Sequence, residues 1–282
     1  MKFTPMKKLS CFLLILFFYK ANSQYYYKDI VAATDINRQM KIYSANNIHK
    51  VSAIGITPEG TPSTDFSETQ ELNTAGNNLI IITKADNIIS TLQHSFTDAG
   101  LLIKTIDSSA KFKSTSTYIY DAAGKIFTIN NITTVTDSSW NYSQSEAHQY
   151  FYKDGKLDKM WRIINKTDSL EVKFVTDEKG NVIEERNFRK GVFTDPIYYY
   201  YDDRNRLTDI VRFNYKANRL LPDYLFEYDD QDRVIQKITT TSNQNLGYLT
   251  WRYLYNEKGL KTKEAMFNKN KELQGRIDYT YN

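Results

Sequence analysis

The chain has one cysteine in 282 residues, Cys11, and it sits at the start of an N-terminal apolar run. A disulfide scaffold and a cysteine-ligated zinc site are therefore excluded for everything that follows that run. Long hydrophobic segments are equally scarce. The one run of note, Leu9 to Tyr19, is shorter than the roughly 20 apolar residues a membrane-spanning helix needs. No Pro-, Gly- or Ser-rich linker divides the chain. The three histidines, His49, His94 and His148, lie far apart with no ligand at metal spacing. No Gly-x-Ser-x-Gly elbow, phosphate loop or Gly-x-Gly-x-x-Gly is present. These gaps leave no reaction legible and imply no cofactor.

The start of the chain reads as a secretory signal: Lys7 and Lys8, the apolar run, then Ala21-Asn22-Ser23, with cleavage expected after Ser23. Cys11 precedes the position a lipid-attachment cysteine would occupy, so no lipid anchor is expected. The segment 1–23 also carries Lys2, Lys7, Lys8 and Lys20 and no acid. Without those four, the 37 basic residues fall to 33, equal to the 33 acidic ones. The basic balance of the full chain belongs to the signal and gives no footprint for nucleic acid.

Twenty-two tyrosines and 15 phenylalanines make the apolar area largely aromatic, which suits sheets better than helical bundles. Many of them recur in one short unit. Tyr118-Ile-Tyr120-Asp121-Ala-Ala-Gly124-Lys125-Ile126 is echoed at Tyr150–Leu157, Tyr199–Leu207, Phe226–Val234 and Tyr253–Gly259. The turn marks are Gly60, Gly76, Gly100, Gly124, Gly155, Gly180, Asn205, Asp232 and Gly259, spaced 24 to 27 residues apart except for a short first interval and one long one. An Asp-x-x-Gly hairpin loop ends in a left-handed conformation that Gly, Asn and Asp tolerate best. The leading aspartate accepts from the backbone two residues on. Polar breaks between the marks, at Asn130-Asn131, Lys166–Asp168, Lys190-Gly191, Lys216–Asn218, Asn243–Gly247 and Asn268–Lys271, divide each unit into two strands. Residues 24–50 fit this pattern least and are read as an irregular N-terminal cap, with a short helix or a capping strand over 28–40; residues 51–282 form the repeat domain.

This unit resembles the YD repeat of RHS-type and teneurin-like proteins, roughly Tyr-x-Tyr-Asp-x-x-Gly-Arg-Leu, over about residues 95–282. The resemblance implies β-hairpin architecture. In large members such repeats build a spiralling shell associated with cell surfaces, carbohydrate binding or enclosure of a toxic domain. Here the repeat glycine is often replaced, so only the hairpin carries over.

The expected fold is all-β: an elongated, twisted antiparallel sheet of about ten hairpins that coils or partly wraps on itself, with exposed edge strands. Alternation around Arg206–Phe213 and the adjacent Glu184-Glu185 give no apolar outer face, so stable membrane insertion is not expected. Glu184 and Glu185 point to opposite faces and do not work as a pair. Aspartates of the turns are assigned to turn chemistry instead of calcium. The aromatic ladder is the candidate binding surface: Tyr199, Tyr201, Trp251, Tyr253 and Tyr255, toward a glycan or protein partner. The expected function is an exported, non-enzymatic binding or scaffold protein in the periplasm or outside the cell. Alternatives are an accessory relative of RHS-type toxin systems and a hydrolase whose site is not legible.

Overall fold

The computed structural model describes residues 25–136, 142–189, 191–240 and 247–282. The signal-like segment 1–23 and most of the 243–247 break lie outside them. Among the described residues one helix, α1 (Tyr27–Ala45), precedes nineteen strands. In chain order these are β1 (Lys50–Ile56), β2 (Pro62–Leu72), β3 (Asn78–Ala85), β4 (Ile88–Phe96), β5 (Leu102–Ser109), β6 (Phe112–Tyr120), β7 (Ile126–Val135), β8 (Ser143–Lys153), β9 (Lys156–Ile164) and β10 (Asp168–Thr176). They continue as β11 (Val182–Arg189), β12 (Val192–Phe193), β13 (Ile197–Tyr201), β14 (Leu207–Asn214), β15 (Arg219–Tyr228), β16 (Val234–Thr240), β17 (Tyr248–Tyr255), β18 (Lys261–Phe267) and β19 (Leu273–Tyr281).

Every pairing is antiparallel and between neighbours, and the expected open sheet is corrected at its ends. β1 pairs with β2 on one side and β19 on the other, with Val51 opposite both Gln70 and Tyr281. The short β12 pairs only with the end of β11, and β13 takes the next place beside β11. Eighteen strands thus close into a barrel with no free edge strand. The cause lies in a device repeated at one rim. In seven hairpins, β4–β5, β6–β7, β8–β9, β10–β11, β13–β14, β15–β16 and β17–β18, the register slips by one residue beside the turn. Each bulge sharpens the right-handed twist in the same sense, and the accumulated coiling brings β19 back to β1.

The turns themselves follow the sequence reading. Asp202 Oδ1 accepts from the backbone N–H groups of Arg204 and Arg206, and Asp229 Oδ1 from those of Gln231 and Arg233. Gly124, Asn205, Asp232 and Gly259 all have φ between +61° and +76°. Gly60 makes the same turn at the opposite rim, one strand before Gly76, which accounts for the short first interval. The Asn130-Asn131 break is corrected: both lie inside β7. Asn131 faces inward, where its amide donates to Ser114 and Ser116 at 2.7 and 2.8 Å, so a polar interior satisfies a residue that reads as a turn.

The six repeat tyrosines weld adjacent hairpins. Tyr120 donates its hydroxyl to Leu102 O, Tyr152 to Ile126 O, Tyr201 to Val182 O, Tyr228 to Leu207 O, Tyr255 to Val234 O and Tyr281 to Lys261 O, at 2.6 to 2.9 Å. Each acceptor immediately precedes a bulged residue, where the strand ladder is interrupted. Three basic residues that directly follow a turn reach the next turn: Arg206 donates to Asp229 O at 2.8 Å, Arg233 to Asn256 O at 3.2 Å and Lys156 to Asp177 O at 2.8 Å. Arg206 and Arg233 also cover the rings of Tyr228 and Tyr255, 4.9 Å from their centroids.

A barrel of eighteen strands cannot be filled by wall side chains alone. At typical spacing and tilt its backbone is roughly 36 Å across. Helix α1, 19 residues and so about 28 Å long, lies inside that ring at the tyrosine-bearing rim. Ala33, Met40 and Tyr43 are buried in one cluster with Leu79, Leu102, Tyr150, Val172, Tyr199 and Ile210, which come from strands all round the barrel. No Gly or Pro occurs between Tyr25 and Ile54, so nothing breaks the helix before Asn46-Asn47, where Asn47 turns left-handed at φ 53°.

Candidate functional site

The interior above the helix is polar. Inward positions, assigned from strand register, carry Glu68, His94, Asn131, Glu146, His148, Arg162, Glu185, Arg212, Asp223, Lys237 and Glu264. Most of these groups are committed to one another or to the helix.

Glu185 is fully buried and acts as the helix's cap from another strand. Its carboxylate accepts the backbone N–H of Tyr26 at 3.0 Å, that of Tyr27 at 3.0 Å and the hydroxyl of Tyr199 at 2.8 Å. Tyr26, the residue at the N-cap, offers no side-chain cap of its own. A carboxylate there meets both the unpaired N–H groups and the positive end of the helix dipole. Burial nevertheless pushes the Glu185 carboxyl up to about 7, against the three hydrogen bonds that lower it.

One turn further, Asp29 takes His148 Nδ1 at 2.6 Å and the Tyr150 hydroxyl at 3.1 Å. The other ring nitrogen of His148 meets Glu146 at 2.8 Å, and Glu146 accepts two bonds from Arg162 at 2.8 Å. Burial lowers the His148 imidazole, but the two flanking carboxylates outweigh it and raise its pKa to about 9. Burial raises Glu146, and His148 with Arg162 overcomes it, holding the carboxyl down at about 2. A third anchor joins the Tyr25 hydroxyl, Asp223 and Arg212, with the Arg212 guanidinium 5.3 Å from the Tyr25 ring centre. These perturbed acids are bound up in seating the helix. Glu184 points outward to Arg186, away from Glu185.

The wall formed by β16 to β19 is different. Lys237 faces inward between Phe226 on one neighbouring strand and Trp251 on the other, its ammonium 5.7 Å from the Trp251 ring centre. Among the described residues no carboxylate pairs with it. Burial pulls the Lys237 ammonium below its ordinary value, with Glu264 opposing and Lys261 adding to that shift. Lys261 instead pairs with Glu264 at 2.8 Å and lies over the rings of Tyr253 and Tyr279, 4.9 and 5.3 Å from their centres. Tyr279 donates to Glu264 at 3.2 Å.

The five aromatic residues singled out from sequence therefore divide. Tyr199 is buried against Glu185 and the Tyr27 ring, Tyr201 and Tyr255 are tied to backbone carbonyls, and Tyr253 is 9% exposed beneath Lys261. Trp251 is half-buried and faces the lumen. Glu185 and the chain Asp29–His148–Glu146–Arg162 carried no sequence signal, because their partners lie 119 to 159 residues away or on a neighbouring strand. No group of three or more potential metal ligands occurs among the described residues.

No family model and no curated protein sequence matches this chain. A porin-like protein from Bacteroides uniformis is similar over 83% of this chain and 98% of its own, at 11% identity and a TM-score of 0.36. A porin-like protein from Bacteroides vulgatus shows the same coverage at 13% identity and a TM-score of 0.28. A Photorhabdus luminescens Tc holotoxin pore is similar over 77% of this chain but 16% of its own, at 12% identity and a TM-score of 0.30. Likenesses this distant carry no argument about what the barrel does.

Proposed function

We propose that the chain is an exported, non-enzymatic binding protein of the cell envelope or extracellular space, a barrel closed at one rim by its own helix that takes a glycan into its water-filled lumen. The observation that carries this reading is the division of labour among the inward groups. The strong anchors hold α1 as a floor, while Trp251 and Lys237 are left facing the lumen without such a task. The outer wall supports a water-facing molecule. The wall also exposes Ile103, Ile119, Val175, Ile183 and Leu254, but Lys104, Lys173, Glu184, Arg252 and Lys263 lie two or three residues from the rim-side ends of their strands and interrupt the apolar band about 25 Å tall that a membrane barrel would present.

The test is a glycan array probed with the native protein, with Trp251→Ala facing the lumen, and with Ile119→Ser on the outer wall. Signal that disappears in the first variant and persists in the second supports lumen binding. Signal indifferent to Trp251, or lost with Ile119, places recognition elsewhere and ends this reading.

A further inference from the structure

The hydrogen-bonding groups around Trp251 are unevenly matched. Lys237, the Trp251 indole N–H and the Tyr253 hydroxyl are donors on one stretch of β16 and β17, and none has an acceptor side chain among the described residues. Elsewhere in the lumen cations are paired: Arg162 with Glu146, Arg212 with Asp223, Lys261 with Glu264. Glu264 favours the Lys237 charge but is held by Lys261, and a half-buried ammonium with no ion-pair partner of its own is costly unless a ligand supplies one. Its flanks are flat and apolar, Phe226 on β15 and Trp251 on β17, and Tyr224 stacks parallel to Phe226 with centroids 6.1 Å apart.

Resting on the lumen-binding reading, we propose that Lys237, Trp251 and Tyr253 form a subsite for an acidic sugar, a pyranose ring bearing a carboxylate. The apolar face of such a ring lies against the indole, its carboxylate meets the Lys237 ammonium, and its ring hydroxyls accept from the Tyr253 hydroxyl. An extended acidic peptide would satisfy the ammonium but leave the aromatic faces without a ring to cover them. A neutral sugar would cover the indole but leave the charge unpaired. Trp251 is therefore the platform and Lys237 the group that selects for charge.

The experiment is calorimetric titration of the full chain with trigalacturonate, its trimethyl ester and hexaglutamate, at low and moderate salt. Trigalacturonate is expected to bind, to weaken as salt rises, and to bind at least ten-fold more tightly than the ester. Lys237→Met should remove that preference and Lys237→Arg should retain most of it, with unchanged far-UV circular dichroism showing both folded. Trp251→Ala should weaken trimer and ester alike. Equal binding of ester and trimer, still dependent on Trp251, overturns the acidic-sugar assignment while lumen binding stands. Hexaglutamate binding as tightly as the trimer, trigalacturonate failing to bind, or Lys237→Met behaving as native also overturns it.

Discussion

The carboxylate of Glu185 accepts the backbone N–H of Tyr26 at 3.0 Å, although 159 residues separate them in the chain. This bond fixes the start of α1 to the barrel wall. The helix thereby becomes a floor instead of a terminal arm.

Glu185 makes that fixation pH-dependent. Its carboxyl is raised from an ordinary 4.5 to about 7 by burial. Between those values the folded state holds a proton that the unfolded state has released, so stability falls as pH rises from 4.5 through 7 and then levels off. The full effect is about 3 kcal/mol at most. Glu185→Gln should abolish the slope across that window, which urea denaturation at half-unit pH steps would measure; an unchanged slope would assign it to another group.

His148 and Glu146 act on either side of this window. His148, raised to about 9, contributes stability that is complete below about 6.5 and lost as pH climbs through 9. Glu146, held at about 2, contributes above 4.5 and loses its effect as pH falls through 2. With Glu185, these directions put maximum stability at about pH 4.5. His148→Gln should flatten the alkaline limb of the melting-temperature profile and also weaken the acid limb, because the same imidazolium helps hold Glu146 down.

The tyrosine hydroxyls offer a cleaner measurement. Tyr120→Phe and Tyr255→Phe each remove one bond to a carbonyl beside a bulge, made at 2.7 and 2.9 Å. Each should cost about 1 kcal/mol. The two bonds lie in hairpins separated by many strands, so the double variant should show the sum. Chemical denaturation of the three variants gives the values, and a cost near zero would mean that water replaces the hydroxyl at those carbonyls.

At the turns, the demand is for a left-handed residue. Gly259 sits at φ 75° with nothing within 4 Å of an added Cβ, so Gly259→Ala should cost about 1 kcal/mol from backbone strain alone. Asp232, at φ 62°, holds the same position with a side chain. Asp232→Gly relieves that strain but removes the exposed carboxylate that pairs with Arg204 at 2.8 Å and Arg206 at 3.0 Å. The two effects should nearly cancel in a melting experiment, whereas Asp232→Val, β-branched and without the acid, should be clearly destabilised.

The hairpins, their turn residues and a tyrosine row on one face were legible because they rest on neighbours in sequence: alternation of two, an aspartate two residues before an N–H it accepts, a left-handed residue at the turn's end. Asn130-Asn131 shows where such local reading fails. Two asparagines read as a turn until Ser114 and Ser116 on the next strand supply partners for Asn131. The polar lumen was invisible for the same reason, since Glu146, His148 and Arg162 look like ordinary solvent-facing strand residues until closure puts them inside.

The amino-acid sequence by itself determined an all-β chain of repeated hairpins, because turn stereochemistry and strand alternation act over a few residues. Tertiary structure alone decided that the sheet closes, that α1 lies within it, and that Lys237 and Trp251 face a lumen. Closure depends on small bulge-driven rotations summed over eighteen strands, and the helix anchors depend on groups brought together from across that ring.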